Sequence, residues 1–321
     1  MYGIYTIFRK EMEDHFSSTR FLIISALIVM VGVIIASMVG MAIQEELKGM
    51  AKPTLIFLLL FTSTGKLFSF VQFIGFFGPL IGIFLGFYSI SRERVSRTLS
   101  KLLSQPIYRD SVINAKFLSG AAVIAIVLVA IVLIISGLGI RLIGVVPGAE
   151  EVWRLAIYLI ASILYISFWL VISILFSVVF RNTATSALAS LAVWIFFSFF
   201  VSLGAGFLAD AVSPISHSGS GVDPNTLIMH EKIQRTVSLF SPMTLYSDAT
   251  ATILDPMRKT TQSLILMGPL ERLSLSRFQS PLPLLQSIFI VTPHLISLIA
   301  ITFLCFGICY FVFMRQEVRT V

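Results

Sequence analysis

Six apolar runs, set apart by polar segments, lay out the plan of this chain. They are Phe21–Ile43, Leu67–Ile90, Phe117–Ile140, Leu155–Phe180, Ala184–Ala209 and Ser287–Phe313, and none contains Asp, Glu, Lys or Arg. About 20 apolar residues carry a helix across roughly 30 Å of hydrocarbon, so each run is long enough to cross. The pattern predicts an all-α polytopic membrane protein with six transmembrane helices. Four segments follow: an interfacial helix over 1–19, spans one to five over 20–209, a long loop over 210–286, and span six with its tail over 287–321.

Smaller patterns refine this plan. In residues 1–19, Ile4, Ile7, Phe8 and Met12 share one helical side, with Arg9, Lys10, Glu13 and Asp14 mostly opposite, as in a helix lying in the membrane interface. Glu11 breaks the pattern by falling on the apolar side. Span one repeats small residues at Gly32, Ala36 and Gly40, and span two at Gly78, Gly82 and Gly86. That spacing lets helix backbones approach closely, against each other or against a second protomer. Leu55–Phe61 is too short to cross and is expected at the outer interface. Asn182 or Thr183 is placed to cap the fifth span, and Pro293 predicts a kink in span six or a helix that starts there. In the long loop, Ser213–Asp223 is rich in Ser, Gly and Pro. Thr226–Phe240 and Thr244–Leu254 read as short helices that either cap a translocation path or form a surface appendage.

Composition narrows the class. The 321 residues are 57% hydrophobic and 12% charged, with mean hydropathy +0.95, more apolar surface than a soluble domain can hide. The net charge of +7 therefore reflects basic loops rather than nucleic-acid binding. With both termini inside, the short cytoplasmic pieces hold twelve Lys and Arg against five in the short outer loops, the bias expected of cytoplasmic termini in the cell membrane. The first run is too long for a signal-peptide core and reads as a retained span. Charge-free spans argue against a proton-driven carrier, which needs ionisable groups at membrane depth. The same absence, with no paired histidines, argues against an intramembrane protease. Cys305 and Cys309 lack the company a metal needs, and no metal site is assigned.

The exceptional stretch is Tyr88–Lys116, which concentrates Arg92, Arg94, Arg97, Lys101, Arg109 and Lys116 against only Glu93 and Asp110. Within it, Val95, Leu99, Leu102 and Leu103 share one face of a helix of about 14 residues. Glu93, Arg97, Ser100, Lys101 and Ser104 occupy the opposite, cytoplasm-facing side. Pro106 ends this helix, and Asp110 or Ser111 is placed to cap the next. A basic loop resting on anionic lipid shares part of this pattern. A defined stop, charges of both signs and a fixed apolar seat favour a docking surface for a protein partner.

The run Arg92-Glu93-Arg94, Thr98-Leu99, Leu102-Leu103-Ser104, Pro106 and Arg109, followed by Lys116, resembles the signature of ABC-2-type permeases, and more narrowly the NosY-like branch. Arg181, Thr183-Ala184-Thr185 and Ala187-Leu188, and Ser241-Pro242 with Tyr246, agree in the same order. Arg97 departs from the pattern, in which Gly often precedes Thr-Leu, and is expected to stiffen the helix. The resemblance implies a homodimeric permease, an exporter, with two ATPase subunits docked on Arg92–Gln105. ATP and Mg would be bound by those partners, and their closure would rock spans one, two and five. The chain agrees in one respect: it has no GxxxxGK[ST] phosphate loop, since Gly65-Lys66 is followed by Leu67. A stand-alone carrier and a non-transporting anchor that recruits a protein through the same loop are the rival readings.

Overall fold

The computed structural model describes residues 2–46, 55–62, 69–98, 108–214, 224–258 and 281–315. These are helical, with no strand among them. The helices are α1 (Tyr2–Ser17), α2 (Thr19–Glu46), α3 (Phe70–Gly86), α4 (Ser91–Val95), α5 (Arg109–Ile143), α6 (Ala149–Val179), α7 (Thr183–Ile195), α8 (Val201–Val212), α9 (Pro224–Ser238), α10 (Pro242–Leu254) and α11 (Leu284–Arg315). A 3-10 turn covers Ile56–Leu60, and a π turn at Phe196–Phe200 joins α7 to α8. Six helical stretches are long and apolar enough to cross a membrane, on α2, α3–α4, α5, α6, α7–α8 and α11. The chain is a polytopic, all-helical membrane protein. We call the bundle end that carries α1 and α4 proximal, and the end that carries α9 and α10 distal.

Spans two and four form the centre. In their most hydrophobic stretches 67% and 61% of residues are buried, against 22%, 11% and 17% for spans one, five and six. The reason is visible at the glycines. A Cβ at Gly82 would lie 2.6 Å from the Ile166 carbonyl oxygen, and one at Gly86 2.8 Å from that of Leu170. The span-two ladder therefore brings α3 backbone to backbone with α6, not with span one. The span-one ladder faces elsewhere: Gly32 meets Phe70 and Ile131, and Gly40 meets Leu142 and Leu60. Ala36 between them is fully buried.

Leu55–Phe61, expected at the outer interface, is packed into the protein. Ile56, Phe57, Leu58, Leu60 and Phe61 are buried, with Leu60 seated where Gly40 and Gly139 lack side chains. Its backbone is held as well, since Phe57 N donates to Glu151 Oε1 at 2.9 Å. Glu151 also accepts from Gly148 N, 2.7 Å away, at the start of its own helix. One turn on, Arg154 is wholly buried. It donates to Glu150 Oε1 (2.8 Å), Ile253 O (2.8 Å), Ser287 Oγ (3.2 Å) and Leu282 O. A guanidinium with five donors satisfies in this way the carbonyls that end α10 and precede α11.

The long-loop helices divide in character. Tyr246 of α10 stacks on Tyr165 at 4.4 Å, shares a hydrogen bond with Ser162 Oγ at 2.9 Å, and lies against Gly75. Ser241 Oγ donates to Phe197 O, 2.9 Å away in the π turn. α10 is thus wedged into the bundle, while α9 packs on α8 and leaves Ile228 and Met229 exposed. Asn182 Oδ1 accepts from Ala184 N and caps α7. Two expected helix starts shift. α5 begins at Arg109, which places Asp110 and Ser111 in its first turn rather than at the cap, and α11 begins at Leu284 with Pro293 inside it.

The glycine contacts carry a prediction. Gly82→Ala forces α3 off the α6 backbone and costs about 1–3 kcal/mol, as overpacking does. Gly137→Ala, inside a helix and with open space beyond it, costs nothing and adds up to about 0.5–1 kcal/mol of stability. Thermal unfolding in detergent separates the two.

Candidate functional site

Glu11, the residue that interrupts the apolar side of α1, supplies the organising contact at the proximal end. α1 packs along the start of α5, and this sets Glu11 opposite Lys116. Both are buried. Lys116 Nζ lies 2.9 Å from Glu11 Oε1 and 2.9 Å from Glu93 Oε1. Lys10 Nζ closes the group, 3.2 Å from Glu11, 3.8 Å from Glu93 and 3.4 Å from Asp14. Two lysines so face three carboxylates; Lys116, Glu11 and Glu93 are sheltered and paired, the condition for holding charge inside a protein, while Lys10 and Asp14 remain half-exposed. One ammonium joins α1, α4 and α5.

His15, one turn beyond Glu11, is buried and its Nδ1 lies 3.1 Å from Tyr88 Oη. Around these groups opens a cavity of about 470 Å³, lined among others by Asp14, Ser89, Arg92, Ser96 and Thr98. Burial alone would raise the Glu11 carboxyl, but Lys116 and Lys10 outweigh it and hold it below its ordinary 4.5. Burial, partly offset by Glu11, holds His15 below its ordinary 6.5.

The expected docking residues separate into two sets. Arg92, Arg97, Thr98 and Arg109 are exposed at the proximal surface. Glu93 is not on that outer face: its carboxylate turns inward to Lys116, because the buried ammonium needs a second anion. Arg94 also turns in, and its Nη1 donates to Val178 O, 3.1 Å away. Leu99, Leu102, Leu103, Ser104 and Pro106 lie outside the described residues.

The single helix expected from Arg92 to Gln105 is interrupted. α4 ends at Val95, and Arg97 has φ 56°, in the left-handed region that glycine enters freely and other residues enter at a cost. Thr98 Oγ1 bonds back to Ser96 Oγ (2.8 Å) and to Glu93 O (3.3 Å), which holds the turn. Arg97 therefore marks a bend and does not stiffen a helix. Lys10, Glu11, His15 and Tyr88 were not among the residues singled out as a site. The signal for Glu11 was the charge on the wrong side of an amphipathic helix.

Two outcomes follow. Lys116→Met leaves Glu11 and Glu93 with only the half-exposed Lys10 between them and loosens α1 by up to about 3–5 kcal/mol, the cost of breaking a buried pair. Glu11→Gln, which leaves the Lys116–Glu93 pair intact, costs less, and hydrogen exchange of α1 ranks the two. The second concerns pH. Both His15 and Glu11 have depressed values in the fold, so each contributes stability that is present above its ordinary value and lost as pH falls. Exchange of α1, corrected for intrinsic rate, is flat above 6.5 and accelerates below it. In His15→Gln the onset moves down toward 4.5, where Glu11 takes over.

Comparison with known proteins gives one finding and one negative. Residues 5–318 match the family model described as ABC-2 family transporter protein. No curated protein matches the chain.

Proposed function

This chain belongs to the ABC-2 transporter family, and we propose that it is the permease subunit of an ATP-driven exporter of the NosY-like branch. Two copies pair in the cell membrane with both termini cytoplasmic, and each receives a separate ATPase subunit on the proximal surface where Arg92, Arg97 and Arg109 are exposed. ATP and Mg are bound by that partner, consistent with the lack of a phosphate loop in the sequence. The apolar side chains that α2, α7, α8 and α11 leave exposed, among them Leu22, Leu188, Phe207 and Phe303, supply surface for lipid and for the second protomer.

The observation that carries this reading is the Lys116 bridge. Arg92, Arg97 and Arg109 present positive charge outward, while Glu93, on the same short segment, is tied inward to α1 and α5. A partner that engages the exposed arginines acts on a segment joined to the bundle, not on a loose loop. Steering by opposite charge fits such a surface and favours an acidic rim on the ATPase. Closure of the ATPases on ATP then displaces α4 and rocks the spans between inward- and outward-open states.

Purified together with a candidate ATPase, the chain is expected to co-elute with it and to support vanadate-sensitive ATP hydrolysis. Arg109→Ala weakens co-elution roughly tenfold and leaves hydrogen exchange of α1 unchanged. Glu93→Ala weakens coupling and also accelerates α1 exchange, because its carboxylate acts from inside. Full association and hydrolysis in both variants would overturn the docking assignment. Intact hydrolysis with no vectorial movement of any cargo would favour the anchor reading.

A further inference from the structure

α4 is five residues long and has no cap of its own, for Ile90 precedes it without a side-chain cap bond. Helix starts leave N–H groups without partners, and buried ones must find an acceptor. Here the acceptor comes from another span. Ser177 Oγ, fully buried, accepts from Ile90 N and from Ser91 N, each at 2.9 Å. A serine hydroxyl has two acceptor lone pairs, so one side chain of α6 serves both donors. The debt runs the other way too: Arg94 Nη1 of α4 donates to Val178 O, one of the last carbonyls of α6. Each helix caps the other.

The contact continues along the bundle. Ser173 Oγ, one turn before Ser177, donates to Ile83 O at 2.9 Å and accepts from Ser190 Oγ at 3.2 Å. Beside it Gly86 brings α3 against Leu170 and Ser173. Between α3 and α4 runs the turn 87–90, where an applied displacement would otherwise be absorbed.

We propose that Ser177 is a positioning residue that, with Arg94, locks α4 to the end of α6, so that α4, span two and span four move as one body. A push on α4 then reaches span four directly, and spans one and five respond around that unit. The lever consequence rests on the reading of α4 as the element an ATPase displaces. The clamp itself does not.

Two measurements test it. In the first, the full chain in lipid nanodiscs is followed by hydrogen exchange without any partner. Ser177→Ala should accelerate exchange at Ile90 and Ser91 about tenfold, the ratio for loss of one hydrogen bond of ordinary strength, with α10 peptides unchanged. Ser177→Thr, which keeps the hydroxyl, should stay near wild type, and Arg94→Met should accelerate the same peptide. Unchanged exchange in Ser177→Ala, or equal acceleration in α10, overturns the clamp. In the second, spin labels replace the exposed Val95 and Val179, with Cys305 and Cys309 replaced by Ala, in the complex with the co-purified ATPase. The distance between them should stay constant on ATP–vanadate trapping and change in Ser177→Ala. A wild-type distance that changes on trapping overturns the lever. A chain that recruits no ATPase instead defeats the docking reading, and the exchange measurement still decides the clamp.

Discussion

The backbones of α3 and α6 touch, and most of the structure is arranged around that contact. In lipid there is no hydrophobic gain in bringing two apolar helices together, so association rests on close packing and on hydrogen bonds. Glycine at 78, 82 and 86 removes the side chains that would hold the helices apart, and at Gly82 the approach leaves no room for a Cβ. Once the two helices are this close, groups along the seam come within bonding range. Tyr165 Oη donates to Gly75 O at 2.8 Å, and Ser173 Oγ to Ile83 O at 2.9 Å. Each bond satisfies a polar group that hydrocarbon could not.

The seam is finished differently at its two ends. At the distal end Tyr246 enters beside Gly75, and Arg154 pairs with Glu150 while it gathers carbonyls from two further elements. At the proximal end Lys116 sits between Glu11 and Glu93. Beside that cluster the buried His15 meets Tyr88.

Burial is unevenly distributed among the spans. Spans two and four are bound to each other and to α4, whereas spans one, five and six turn apolar surface outward. The π turn at Phe196–Phe200 sits in the most exposed of these spans and is held from α10 by Ser241. Such turns interrupt the regular ladder and recur at functional positions. Spans two and four form the close-packed centre, and spans one, five and six surround it with apolar surface turned outward.

The six spans were legible in the residues, because any charge-free run of that length has only one way to satisfy its backbone in hydrocarbon. The capping of α7 by Asn182 and the two helices after Pro224 were legible too, since their signals are local. Partner choice was not. Periodicity shows that Gly78, Gly82 and Gly86 share a face, but not that the face meets α6. It shows that Glu11 is out of place, but not that Lys116, 105 residues away, is the reason. Leu55–Phe61 looked like an interfacial piece because its length excludes a crossing, and only the space left by Gly40 and Gly139 buries it. Local pattern is set by the chain's own neighbours. The identity of a contact across the bundle is set by which surfaces fit once all the helices are packed, and that only the tertiary structure decides.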